Sequence, residues 1–113
     1  MPFINTKTNV SISADKRAVL EKKLGKAIEL IPGKSETWLM LSLEPDTAMS
    51  FQGSEAPVAM VEVKIFGSTT KEAYAAMTKE TTKIIAEELG ISPDRIYVKY
   101  EESHLWGWNG VNF

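Results

Sequence analysis

The sequence predicts an α+β fold in one domain spanning residues 1–113: two β-α-β units that build a four-stranded mixed sheet with two helices on one face. Three observations predict it. Two stretches repeat their apolar residues at helical period, three alternate at strand period, and the elements occur twice in the order strand, helix, strand.

The first helix starts after the Ser11–Ser13 signals, and Leu20, Leu24, Ala27, Ile28 and Ile31 form one stripe along it. Pro32-Gly33 ends it. The second is predicted from Thr69, which with Glu72 makes a capping-box pattern, and it closes at Gly90. Its expected buried residues are Ala73, Ala76, Met77, Ile84, Ile85 and Leu89. A predicted strand from Trp38 sets Leu39, Leu41 and Leu43 against Trp38, Met40, Ser42 and Glu44. The next sets Ala59, Val61, Val63 and Ile65 against Met60, Glu62, Lys64 and Phe66. In the last, Ile96, Val98 and Tyr100 oppose Arg95, Tyr97 and Lys99. The segment from Pro2 supplies a fourth strand, so the units run from about Pro2 to Pro45 and from about Val58 to Tyr100. Helices on both crossovers cover one sheet face. The other face mixes Trp38, Met40 and Phe66 with charges, which points to a subunit interface or a lined channel.

Composition narrows the function. A net charge of −2 argues against nucleic-acid binding, which needs clustered Lys and Arg. With no cysteine, disulfides, thiolate catalysis and Cys-based zinc sites are excluded. His104 is the only histidine and reads as a solvated loop residue; no metal site and no organic cofactor are expected. Polar residues crowd the first twenty positions, and no stretch approaches the ~20 apolar residues of a membrane helix. The expectation is a cytoplasmic protein with no membrane partner, leaderless secretion being the alternative.

Pro2 stands directly behind the initiator methionine, a position from which aminopeptidase processing exposes it. Its nitrogen then becomes a secondary amine, both base and nucleophile. Since proline makes up about 5% of ordinary sequence, the dipeptide alone decides nothing.

Several stretches taken together say more. PFINTKTNV, PDTAMSFQGSEAP, ISPDRIYVKY and GWNGVNF occur in the order and spacing of the macrophage migration inhibitory factor family, within the tautomerase superfamily, and the whole chain resembles it. The resemblance implies a homotrimer around a central channel and a keto–enol tautomerase acting on phenylpyruvate-like 2-oxo acids. It makes Pro2 the catalytic base. Abstracting a proton beside a ketone needs a base that is neutral near pH 7, and burial together with a nearby cation lowers an amine's pKa accordingly. Lys34, after Pro32-Gly33, matches the family's lysine that binds the substrate carboxylate. Phe66 replaces an isoleucine whose backbone N–H holds the same carboxylate, and Tyr97 matches a tyrosine contributed by a neighbouring subunit. Trp38 replaces a tyrosine at the mouth, while Trp106, Trp108 and Phe113 match the apolar wall.

The chain also departs from the family's pattern. Val58-Ala-Met-Val61 stands where the archetype has Cys-x-x-Cys, Lys99 replaces an asparagine facing the ring end of the substrate, and the loop Glu101–Leu105 is shorter. Two alternatives stay open beside the enzyme: a cytokine-like binding protein with a vestigial pocket and a protein receptor, or a dehalogenase- or decarboxylase-type reaction on the same scaffold.

Overall fold

A computed structural model describes residues 1–112, and Phe113 lies outside the described residues. Strand β1 (Pro2–Thr8) leads to helix α1 (Ala14–Ala27) and strand β2 (Met40–Glu44); strand β3 (Ala59–Phe66) leads to helix α2 (Lys71–Leu89) and strand β4 (Ile96–Ser103). A short hairpin, β5 (Gly107–Trp108) and β6 (Val111–Asn112), completes the chain. The main sheet has the order β2-β1-β3-β4. β1 pairs parallel with β2 and β3 parallel with β4, and an antiparallel β1–β3 seam joins the two units. The two β-α-β units and the mixed sheet are therefore as the sequence predicts.

Alternation decides which face is buried. Ile4 of β1 and Val61, Val63 and Ile65 of β3 pack against Leu20, Leu24, Ile28, Met77 and Ile85 in one core. Each of these side chains is at most 1% exposed. On the opposite face, Phe3 and Asn5 of β1 sit beside Met40 and Ser42 of β2, and Lys64 sits beside Glu101. There the Asn5 amide donates to Glu44 Oε2 at 2.8 Å and Ser42 Oγ donates to Asn5 Oδ1 at 2.7 Å. No helix among the described residues is long and apolar enough to cross a membrane.

The helix ends show the local chemistry. Ser13 caps α1, its side chain accepting from the Lys16 N–H. After Ala27 the chain tightens into a 3₁₀ turn, Ile28–Leu30, before Pro32-Gly33 turns it away, with Gly33 at φ +81°. Gly90 ends α2 in the left-handed conformation that only glycine adopts cheaply.

Four expectations need correction. Thr70, not Thr69, caps α2; its side chain accepts from the Ala73 N–H, so Glu72 stands outside the capping-box position. Ala76 is exposed rather than buried. Trp38 lies in a 3₁₀ turn, Glu36–Trp38, and β2 begins only at Met40. The register explains why. Phe3 pairs with Met40, so the next rung of the parallel ladder would fall on Pro2, which has no N–H to give. Finally, β4 runs on to Ser103, which takes three residues of the expected Glu101–Leu105 loop into the sheet.

The cap assignment makes a prediction. Thr70→Ala should destabilise the fold by about 1 kcal/mol, the usual worth of a side-chain N-cap, while Thr69→Ala should cost less than half of that. Urea unfolding of both variants checks it, and equal losses would contradict the assignment.

Candidate active site

The site is built around the start of β1. Pro2 is buried and stands opposite Ile65 in the antiparallel register. A proline is tolerated there because the first residue of a strand can do without a donor. One residue upstream, the Met1 carbonyl accepts from the Phe66 N–H at 3.0 Å. Lys34 reaches the same residue, its Nζ donating to the Phe66 carbonyl at 2.8 Å. The turn that brings it there is closed by the Lys34 N–H donating to the Ile31 carbonyl at 3.1 Å. Lys34 and the start of the chain thus meet at the last residue of β3.

This meeting has an electrostatic consequence. The α-amine of Met1 is held below its usual pKa, first by burial and then by the charge and side-chain contact of Lys34. A cation beside an amine disfavours a second positive charge. With Met1 attached, the Pro2 nitrogen is a tertiary amide without basicity; with Met1 removed, the amine in this position is that of Pro2.

A cleft of about 530 Å³ opens beside Pro2, lined by Phe3, Trp38, Met40, Lys64, Trp106 and Trp108 among others. Trp38 and Trp108 meet edge to face, with ring centroids 5.0 Å apart and planes at 89°. Each ring comes from a different connection: Trp38 from the 3₁₀ turn before β2, Trp108 from β5. The β5–β6 hairpin turns at Asn109-Gly110, with φ of +53° and +79°. Asn-Gly is the pair that such a tight turn favours, and this local signal is what sequence reasoning overlooked. Lys64, Phe3 and Met40 were missed as lining residues too; alternation had placed Lys64 on the mixed face but carried no sign that a cleft opens there.

The structure thus brings Pro2, Lys34, Phe66, Trp38, Trp106 and Trp108 to one end of the sheet. It leaves two expected residues elsewhere. Tyr97 pairs with Met60, which pairs with Lys7, five strand residues from Pro2. At about 3.3 Å per residue that is roughly 16 Å. Its ring instead stands edge to face on Phe51, 4.9 Å between centroids. Phe51 lies in a loop clamped by Arg95, whose guanidinium donates to the carbonyls of Phe51, Ser54, Ala56 and Pro57. Lys99 lies on the same face as Tyr97 and pairs with Glu101 at 3.4 Å. Within one chain, neither reaches the cleft. Phe113 falls outside the described residues. Among those described, no group of three or more His, Asp and Glu side chains comes together as metal ligands. A second groove of about 480 Å³ lies between α1 and α2, where Lys23, Lys26 and Lys83 alternate with Glu29, Glu80 and Glu87 over Ala27, Leu30 and Ile84, well away from Pro2.

Comparison with known proteins gives a consistent answer. The profile of the family described as macrophage migration inhibitory factor matches residues 1–113. The solved structure of Leishmania major MIF2 shares 39% identity over 100% of this chain and 97% of its own, with a TM-score of 0.94. A macrophage migration inhibitory factor homologue from Prochlorococcus marinus shares 35% identity over 98% of each chain, with a TM-score of 0.88. The Meriones unguiculatus macrophage migration inhibitory factor is 30% identical over 115 residues, covering 100% of this chain and 99% of that one.

The electrostatics at the chain start can be tested on protein that retains Met1. Lys34→Gln should raise the α-amine pKa toward its usual value, because removing the neighbouring cation restores the protonated form while the burial remains. Following the ¹³C shift of the reductively methylated amine against pH measures this. An unchanged midpoint would show that Lys34 does not act on the amine.

Proposed function

The chain belongs to the macrophage migration inhibitory factor family, and from that membership together with the cleft at Pro2 we propose that it is a cofactor-independent keto–enol tautomerase acting on phenylpyruvate-like 2-oxo acids. One observation carries the reading: Pro2 borders an aromatic cleft at the place where burial, and then Lys34, hold the neighbouring α-amine below its usual pKa.

Loss of Met1 does two things in this geometry. It converts the Pro2 amide into a secondary amine, and it takes away the carbonyl that accepts from the Phe66 N–H. A substrate carboxylate in place of that carbonyl accepts from the Phe66 backbone and pairs with Lys34. The aryl ring then lies against Trp38, Trp106 and Trp108. The Pro2 nitrogen takes a proton from C3 of the 2-oxo acid, the C–H electrons form the C2=C3 bond, and the C2=O π electrons move to the oxygen. That oxygen takes a proton from water to become the enol hydroxyl, and the Pro2 ammonium returns its proton to solvent. The neutral form of the Pro2 amine serves as the base, and general-base catalysis of this kind is worth roughly 10²–10⁴-fold.

Tyr97 and Lys99 enter through assembly. In a trimer whose mixed sheet faces line a central channel, Tyr97 and Lys99 of one chain reach the cleft of the next. Asn5, Ser42 and Glu44 on that face form hydrogen bonds that suit a wet channel better than a dry interface.

Two measurements check this reading. In chains shown by mass spectrometry to lack Met1, Pro2→Ala should lower kcat/KM for phenylpyruvate by about 10²-fold or more with little change in thermal stability. A rate equal to wild type, or full activity in chains that retain Met1, would remove Pro2 from the mechanism. Sedimentation equilibrium should report three times the 12.6 kDa chain mass; a stable monomer would leave Tyr97 with no neighbouring cleft to complete.

A further inference from the structure

The cleft holds a charge that the tautomerase reading leaves unused. Among the described residues lining it, Lys64 is the only one with an ionisable side chain; the rest are apolar, aromatic or neutral, apart from the chain's own α-amine. Lys64 lies on β3 opposite Phe3, one residue before Ile65, the partner of Pro2. Alternation sends it to the mixed face, while Pro2 belongs to the helix-covered side, so the two reach the cleft from different sides of the sheet. Among the described residues its ion-pair partner is Glu101, at 3.8 Å, and Glu101 is shared with Lys99, which lies closer at 3.4 Å. The Lys64 side chain keeps 39% of its exposure. An ammonium at the wall of an aromatic cleft, whose ion pair among the described residues is long and shared, can turn to an anionic ligand at small cost. Lys34 is bound instead to the Phe66 carbonyl.

We propose that Lys64 is a specificity residue that binds a second anionic group, so that the cleft takes 2-oxo acids carrying an acidic substituent at the end remote from the 2-oxo carboxylate. This rests on the tautomerase reading for the orientation of the substrate. Lys34 and the Phe66 backbone hold the first carboxylate, the tryptophans cover the ring, and the Lys64 ammonium donates to the second carboxylate. Such charge-assisted hydrogen bonds are about twice as strong as neutral ones, and glutamine at the same position keeps a donor without the charge.

The test uses the processed protein and two probes that differ in one group: phenylpyruvate and 4-carboxyphenylpyruvate. Lys64→Gln should lower kcat/KM for the carboxylated probe by about tenfold, as expected for loss of a charge-assisted contact, and leave that for phenylpyruvate nearly unchanged. Lys64→Arg should restore the preference, and 0.5 M salt should erode it. Quenching of tryptophan fluorescence gives affinities independently of turnover. If phenylpyruvate is turned over and the ratio of the two probes ignores position 64 in both rate and affinity, the inference falls while the tautomerase reading stands. If neither probe is turned over, yet quenching by the carboxylated probe weakens tenfold in Lys64→Gln, the anion site stands and the tautomerase reading falls.

Discussion

The antiparallel seam between β1 and β3 is the constraint on which the rest of the molecule depends. Each β-α-β unit by itself is a parallel strand pair with one helix, too little to bury a core. Seven register pairs from Pro2–Ile65 to Thr8–Ala59 join the units into one sheet, and only then do α1 and α2 share a single apolar surface. The same seam places the first residue of the chain against the last residue of β3. Everything at the candidate site follows from that adjacency: the Met1 carbonyl on the Phe66 N–H, Lys34 on the Phe66 carbonyl, and the cleft beside Pro2.

Proline at this place is both a structural limit and a chemical opportunity. Having no N–H, it ends the parallel ladder with β2, so the chain before Met40 is released into a 3₁₀ turn that carries Trp38 over the cleft. Its nitrogen sits where burial and a lysine both disfavour a proton on an adjacent amine. One residue type therefore shapes the mouth of the cleft and supplies its proposed base.

Much of this was legible in the sequence because it depends on short-range periodicity. Val61, Val63 and Ile65 alternate with Glu62, Lys64 and Phe66 in the chain and in the sheet alike. Ser13 and Gly90 mark their helix ends by local chemistry alone. Where two adjacent residues offered the same chemistry, local reading failed: Thr69 and Thr70 both can cap, and it is Thr70, at φ −81° and ψ +159°, whose side chain accepts from the Ala73 N–H. The hairpin at Asn109-Gly110 was readable and was passed over, because its two-residue strands are too short to show a period.

By itself the sequence determined the class of fold, the order of the elements, the buried face of each strand and the family, since all of these rest on patterns carried by neighbouring residues. Only the tertiary structure decided which of the named residues meet. Pro2, Lys34 and Phe66 lie more than thirty residues apart and come together through sheet register. Tyr97, whose strand pattern looks no different, is left at the far end of the sheet against Phe51. Lys64 reads as one more charge on a mixed strand face until two tryptophans from separate connections close a cleft beside it. Convergence of this kind is a property of register and chain return, and no local pattern encodes it.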